Sequence, residues 1–208
     1  MNLGREEGIF KTLYNNIDGH SISCKGREKM NPEDRKYLIY GEIPFLELAH
    51  IFEEPAISGD LGESKILYDL GSGTGKIVVG TALILPKLEK IIGIELVKTL
   101  FDTSNRIRRK FKLQGKKTAD KIEFINGDFL DIDYSSPSPD IIFMHYPMHN
   151  AEKLYLKLEE KLKAELKSGA IIISCIRHLN DETAFPRIAT GKIKCTYSDV
   201  TVYYHRKI

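Results

Sequence analysis

Cysteine is scarce in this chain, and its three thiols, Cys24, Cys175 and Cys195, show no Cys-x-x-Cys spacing, which argues against a disulfide framework or a thiolate zinc site. The six histidines form no His-x3-His or His-Glu-x-x-His pattern, so no metal centre is expected. No apolar stretch approaches the roughly 20 residues that cross a bilayer. The opening residues, Met1-Asn2-Leu3-Gly4-Arg5-Glu6-Glu7, lack the basic and then apolar run of a secretory signal. A cytoplasmic protein without a membrane partner is expected, with a nuclear location left open. Neither sign of charge dominates: 31 Lys and Arg face 29 Asp and Glu, and a net charge of +2 names no partner. Internal repeats and low-complexity tracts are also absent. A length of 208 residues with 42% hydrophobic content fits one α/β domain able to bury a sizeable core.

What is present is a glycine-rich break after an apolar run, Ile66-Leu-Tyr-Asp-Leu-Gly-Ser-Gly-Thr-Gly-Lys76. Glycines at 71, 73 and 75 allow a ligand to approach the main chain with no Cβ in the way. A Walker loop requires glycine where the chain has Leu70 and a hydroxyl where it has Ile77. A dinucleotide fingerprint requires glycine where the chain has Lys76. The remaining pattern, Asp-x-Gly-x-Gly-x-Gly with Asp69 at the strand end, is that of class I S-adenosylmethionine-dependent methyltransferases. The acid suits a cofactor with an amino-acid end and no phosphate. A nicotinamide-dependent oxidoreductase and a catalytically silent cofactor-binding or interaction module remain as rivals, and the plainest alternative is a glycine turn without a ligand.

Hydrophobic periodicity predicts the rest. Residues 1–30 carry no strong period, with a helix around 9–15 and part of the segment as a flexible arm. Asn31-Pro32-Glu33-Asp34 starts a short helix to about Leu38, Phe45, Leu48, Ala49 and Phe52 share a helical face, and 55–63 reads as a linker. Strands are expected at 66–70, 91–95, 121–125, 141–144 and 170–176, with helices over 76–85, 98–113 and 151–167. Residues 177–190 read as a loop, and 192–198 with 200–205 as an antiparallel pair turning at Asp199. The expected fold is therefore a Rossmann-like sheet of seven strands, the last antiparallel, with helices on both faces. An N-terminal helical extension, residues 1–63, is expected to cover the cofactor bound by a catalytic domain over 64–208.

Site candidates follow from strand ends. Glu95 ends the second strand, where a carboxylate matches a ribose diol; a solvent-exposed glutamate is the plain alternative. Asp128 can accept from an adenine amino group while Phe129 covers the ring, or the pair can cap a turn and fill the core. The fourth strand delivers His145, Tyr146, Pro147, Met148 and His149 to the ligand end of the sheet. Basic residues from 106 to 121, including Arg106, Arg108, Arg109, Lys110 and Lys112, offer a nucleic-acid surface or simply a solvated helix face.

These residues together resemble the disruptor-of-telomeric-silencing (DOT) type of non-SET histone-lysine methyltransferases. Tyr40-Gly41-Glu42, Asp69-Leu70-Gly71-Ser72-Gly73-Thr74-Gly75, Glu95 and Gly127-Asp128-Phe129-Leu130 match that family's motifs in order, across about residues 37–176. The resemblance implies S-adenosyl-L-methionine as cofactor, with Tyr40 and Glu42 folding over its methionine end and Asp128 and Phe129 holding adenine. It also implies a protein substrate with a lysine acceptor. Where the family continues Asn-Asn-Phe-Ala-Phe after its fourth strand, this chain has His145-Tyr146-Pro147-Met148-His149. Pro147 is similar to the proline in the Asn-Pro-Pro-Tyr motif of methyltransferases that act on nucleic-acid bases. For the acceptor, His145 is expected to orient or deprotonate an amine, Tyr146 to line its path and Tyr40 to wall the channel.

Overall fold

A computed structural model describes residues 3–145 and 151–208, apart from the side chain of Asp34. Tyr146, Pro147, Met148 and His149 lie outside the described residues. Among the described residues five helices precede the first strand: α1 (Gly4–Tyr14), α2 (Gly19–Arg27), α3 (Pro32–Arg35), α4 (Phe45–Phe52) and α5 (Pro55–Glu63). Strands β1 (Ile66–Leu70), β2 (Lys90–Glu95), β3 (Ile122–Asn126), β4 (Ile141–His145) and β5 (Ile171–Cys175) then alternate with α6 (Lys76–Ile84), α7 (Lys98–Leu113) and α8 (Glu152–Glu165). A hairpin of β6 (Arg187–Lys194) and β7 (Asp199–Arg206) closes the chain.

The seven strands form one sheet in the order β3-β2-β1-β4-β5-β7-β6, in which β7 runs antiparallel to both neighbours. Parallel strands covered on both faces must be apolar on both, and their side chains alternate accordingly. Leu67, Ile91, Ile141, Phe143 and Ile173 face the layer built by α1, α4, α6 and α7. Tyr68, Ile92, Ile142, Met144 and Ile172 face the layer containing α8, whose Tyr155, Leu158 and Leu162 are fully buried. The order reverses where β1 lies between β2 and β4, and a crevice at such a switch point opens at the C-terminal ends of the strands.

Three segments depart from the sequence expectation. Residues 55–63 form a helix rather than a linker: Pro55 takes the first turn, Glu54 accepts from the Ala56 N–H at 3.2 Å, and Ile57 and Leu61 are buried one turn apart. The Asp60 carboxylate is gripped by Arg206 through two bonds of 2.7 and 2.8 Å, tying α5 to β7. Part of the expected arm is α2, capped by Asp18 accepting from Ser21 N–H at 3.0 Å. Its buried face is Gly19, Ser23 and Gly26, a stripe too small to register as an apolar period. A Cβ at Gly19 would come within 1.9 Å of the Tyr40 hydroxyl, so the helix packs backbone-first. The final hairpin begins earlier, at Arg187, and turns at 195–198 instead of Asp199, because Lys194 pairs with Asp199.

Gly59 and Gly62 in α5 face open space, so an added Cβ meets nothing. Gly59→Ala and Gly62→Ala are each expected to raise unfolding free energy by up to about 1 kcal/mol, whereas Ile57→Ala should lower it by about 2–5 kcal/mol. Urea denaturation followed by circular dichroism checks both, and a linker at 55–63 would leave all three unchanged.

Candidate functional site

A cavity of about 350 Å³ lies at the C-terminal ends of β1, β2 and β4. It is walled by the glycine loop, by Glu95, by Asp128 and Phe129, by the 37–43 segment, and by His145. The loop bends because Gly71, Gly73 and Gly75 take φ of 85°, 57° and 83°, a region that side-chain-bearing residues seldom enter. Gly73 is also closely overlaid, since a Cβ there would sit 2.9 Å from Tyr40 Cε2. The Tyr40 ring therefore covers the loop.

A short network holds that cover in place. The Tyr40 hydroxyl donates to Glu42 Oε1 at 2.7 Å and lies 3.1 Å from Thr74 Oγ1. Glu42 Oε2 pairs with Lys76 Nζ at 2.5 Å, across from the first turn of α6. Tyr14, from α1, donates to the Thr74 carbonyl at 3.3 Å and takes the Lys76 ammonium over its ring. Burial, followed by the neighbouring Glu42 carboxylate, raises the Tyr40 phenol well above its usual pKa, so it remains a donor. Tyr14, Thr74 and Lys76 were not singled out by sequence reasoning, and Lys76 registered only as the residue that breaks the dinucleotide fingerprint.

Glu95 is 6% exposed and its carboxylate bridges two backbone amides, Gly73 N–H to Oε2 and Val97 N–H to Oε1, both at 2.7 Å. Burial raises its pKa while these amides pull it back. Asp69 lies beneath the loop, 1% exposed, and among the described residues neither carboxylate oxygen has a hydrogen-bond partner. Burial, and secondarily the Glu95 charge, pushes its pKa well up. A buried carboxylate without a donor is costly, and an ammonium group is its natural complement. Asp128 caps a short turn by accepting from Leu130 N–H at 2.9 Å, and Phe129 is partly buried against the α8-side core while facing the cavity. The capping reading of that pair is what the contacts show, with both residues also at the cavity wall.

His145 ends β4 and lines the same cavity. Its Nε2 lies 2.9 Å from the Tyr197 hydroxyl and 3.9 Å from Cys195 Sγ, both on the turn between β6 and β7. The His145 and Tyr197 rings stack at 6.2 Å and 25°. Burial drops the His145 pKa to about 4, only partly offset by a hydrogen bond to the Gly41 backbone that favours the protonated ring. At neutral pH the ring is uncharged. One residue along from Cys175, the β5 partner of His145, Ile176 takes φ of 75°. Such strain, on the order of 1–3 kcal/mol, clusters at functional ends of folds.

The structure thus gathers Tyr40, Glu42, Gly71, Gly73, Glu95, Asp128, Phe129 and His145 around one cavity, with Asp69 and Gly75 in the layer that supports it. Tyr146 lies outside the described residues. The basic stretch is not gathered there: Val97 and Leu100 border the cavity, but α7 rises about 1.5 Å per residue away from it, so its C-terminal basic residues lie near the opposite rim. Among the described residues no helix is long and apolar enough to cross a membrane.

Comparison with known proteins agrees with this geometry. A family model described as "Histone methylation protein DOT1" matches residues 29–202. A Caenorhabditis elegans histone-lysine N-methyltransferase, H3 lysine-79 specific, is 30% identical over 141 residues, 65% of this chain and 14% of that protein. A protein-lysine N-methyltransferase of Saccharolobus islandicus is 25% identical over 115 residues, 55% of this chain and 63% of that protein. The chain therefore spans less than two thirds of either relative. A crystal structure of an RNA methyltransferase from Salinibacter ruber with S-adenosyl-L-homocysteine superposes with a TM-score of 0.53 at 24% identity, covering 74% of this chain and 91% of that one. That likeness carries the fold alone. The chain has the fold of class I methyltransferases.

Removing the bridging carboxylate should act on ligand and fold together. Glu95→Ala is expected to weaken S-adenosylhomocysteine by about ten- to a hundredfold, the worth of one or two charge-assisted bonds, and to lower the melting temperature by stranding Gly73 and Val97 N–H. Calorimetric titration and thermal melts read the two effects, and an unchanged dissociation constant removes Glu95 from the ligand. For His145 the folded pKa, about 4, lies below the unfolded value, so the unfolded chain binds the extra proton in between. Stability from the neutral ring is full above about pH 6.5 and declines as pH falls toward 4. Wild-type protein should therefore lose more stability than His145→Gln between pH 7 and 4.5 in urea titrations; equal losses would place the ring in a solvated, ordinary environment.

Proposed function

This chain belongs to the histone methylation protein DOT1 family, and on that premise we propose that it is a protein-lysine N-methyltransferase. The observation that carries the substrate class is the charge of the cavity. Among the described residues lining it, Lys76 is the one permanent cation, and Glu42 already neutralises it. A nucleic-acid acceptor brings phosphates that need cations nearby, whereas a lysine needs an apolar sleeve for its stem and a place to lose its charge. Ile39 and Leu96, which line the cavity, are among the large apolar side chains left exposed. Both sequence relatives described above act on protein lysines.

The cofactor supplies a sulfonium methyl to an unprotonated nitrogen. The work of this chain is alignment and exclusion of water. Tyr40 and Glu42 close the methionine end, Glu95 receives ribose hydroxyls on a carboxylate already fixed by backbone, and Asp69 receives the amino group. Asp128 and Phe129 hold adenine. On the acceptor side, His145 orients rather than deprotonates. A lysine ammonium has a pKa of about 10.4, so direct transfer to a ring with a pKa of about 4 is uphill by roughly six units, about 9 kcal/mol. The proton leaves to water as the amine enters apolar surroundings, and the neutral ring then fixes the position of the amine.

Incubating the protein with methyl-labelled cofactor and a mixture of core histones and total RNA tests the reading. Label released by protease and retained through nuclease is expected. Nuclease-released label would overturn the lysine assignment in favour of a nucleic-acid base.

A further inference from the structure

Among the described residues lining the cavity, the acids Glu42, Glu95 and Asp128 stand against one permanent cation, Lys76. Lys76 follows the last glycine of the loop and opens α6, so it leaves the main chain at the opposite end of the loop from Asp69. Its ammonium is positioned from two sides: Glu42 Oε2 lies 2.5 Å from Nζ, and the centre of the Tyr14 ring lies 5.4 Å away. With 18% of its side chain exposed, it belongs to the wall of the cavity and not to open solvent. An ammonium carries three N–H donors, and the bond to Glu42 uses one of them. As a clasp between the cover and α6 the pair would serve equally well outside the cavity; here its cation borders the space that a ligand fills.

We propose that Lys76 is a specificity-determining cofactor residue: its ammonium, aimed by Glu42 and the Tyr14 ring, donates to the α-carboxylate of S-adenosylmethionine and makes that carboxylate a condition of tight binding. The inference rests on the cofactor in the reading above and is independent of the lysine acceptor.

An amino-acid end carries an ammonium and a carboxylate on one carbon. Asp69, buried and without a donor among the described residues, is the complement of the ammonium. The carboxylate is then left among acids unless a cation meets it, and Lys76 is the cation at hand. Asp69, ammonium, carboxylate, Lys76 and Glu42 would alternate in sign along the loop, so no charge in that row faces its like. A phosphodiester brings no cation of its own, and a lysine already neutralised by Glu42 does not balance it. A zwitterion needs no net charge from the protein, which reconciles one paired lysine with one bound carboxylate. Fixing a lysine side chain ordinarily costs rotamer freedom on binding, and here Glu42 and Tyr14 have restricted it beforehand. A ligand without the carboxylate keeps its nucleoside and its ammonium and loses this charge-assisted bond alone.

The test is calorimetric titration of the full chain with S-adenosylhomocysteine and with its decarboxylated analogue, S-adenosylthiopropylamine, which keeps the amine. Wild type is expected to bind S-adenosylhomocysteine at least about tenfold more tightly than the analogue, the worth of one charge-assisted bond. Lys76→Gln should bring the two affinities within about threefold of each other, mainly by weakening S-adenosylhomocysteine. The double variant Glu42→Gln/Lys76→Gln removes both charges and leaves the net charge of the cavity unchanged, and it should show the same collapse. Because both ligands carry the amine, effects on the ammonium cancel in the comparison. A double variant that keeps the wild-type preference overturns the inference, since Lys76 then serves only to neutralise Glu42. Wild type that binds the two ligands equally overturns it too, and that measurement stands even where a variant fails to fold, which thermal melts without ligand reveal. If wild type binds neither ligand, the cofactor reading fails and this inference with it. If wild type binds S-adenosylhomocysteine without preferring it, only the inference fails.

Discussion

Glu95 holds the N–H of Gly73 on one carboxylate oxygen and the N–H of Val97 on the other, and this bridge ties the glycine loop after β1 to the start of α7 after β2. Gly71 and Ser72 N–H add bonds of 2.9 Å to the Ile94 carbonyl, so the loop is shaped from the neighbouring strand rather than by its own residues. Two backbone amides offset part of the cost of burying this carboxylate, although burial still raises its pKa. Asp69 then sits a short distance behind it without a donor. Two buried acids, one satisfied and one not, make an environment that favours a ligand carrying hydroxyls at one end and a cation at the other.

The helices ahead of the sheet depend on that loop. Tyr40 can lie over Gly73 only because no Cβ stands between them, and α2 can press on Tyr40 only because Gly19 has none either. The cover is thus a stack of ring between two bare backbones. Its polar edge is satisfied by Glu42, Thr74 and, through Glu42, Lys76. The turn at 195–198 closes the same stack from the far edge of the sheet. Residues 40–42 thus touch the glycine loop on one side and His145 and Thr196 on the other.

Much of the cofactor half was legible in the sequence because it is local. Ile66–Leu70 is an apolar strand running straight into its glycines, and Lys98–Leu113 buries Leu100, Thr103, Ser104, Ile107 and Phe111 at helical spacing. The segments that were misread had helices whose buried faces are not apolar in sequence. Gly19, Ser23 and Gly26 bury by being small, and Gly59 and Gly62 in α5 mimic a linker while two aliphatic residues anchor it. The hairpin was misplaced because period-two alternation continues through Thr196 and Ser198, so the pattern cannot mark where pairing stops. That shift matters: it moves Tyr197 from a strand to a tip. Its contact with His145 joins positions 52 apart in the chain, which no spacing rule reaches.

The division of charge in the molecule completes the picture. Basic residues crowd the outer face of α7, where Lys112 pairs with Asp120, Arg106, Arg109 and Lys110 are exposed and Arg108 is half-buried, while among the described residues lining the cavity at the other end of that helix there is a single neutralised cation. The basic residues from Arg106 to Lys112 stand roughly 9–18 Å along the helix from Leu100, which lines the cavity. At about 0.15 M ionic strength charges interact over roughly 8 Å, so the basic face does not set the field at His145. The mouth is governed instead by burial, and burial acts in one direction on a lysine: it disfavours the ammonium and admits the amine. The same burial keeps His145 neutral.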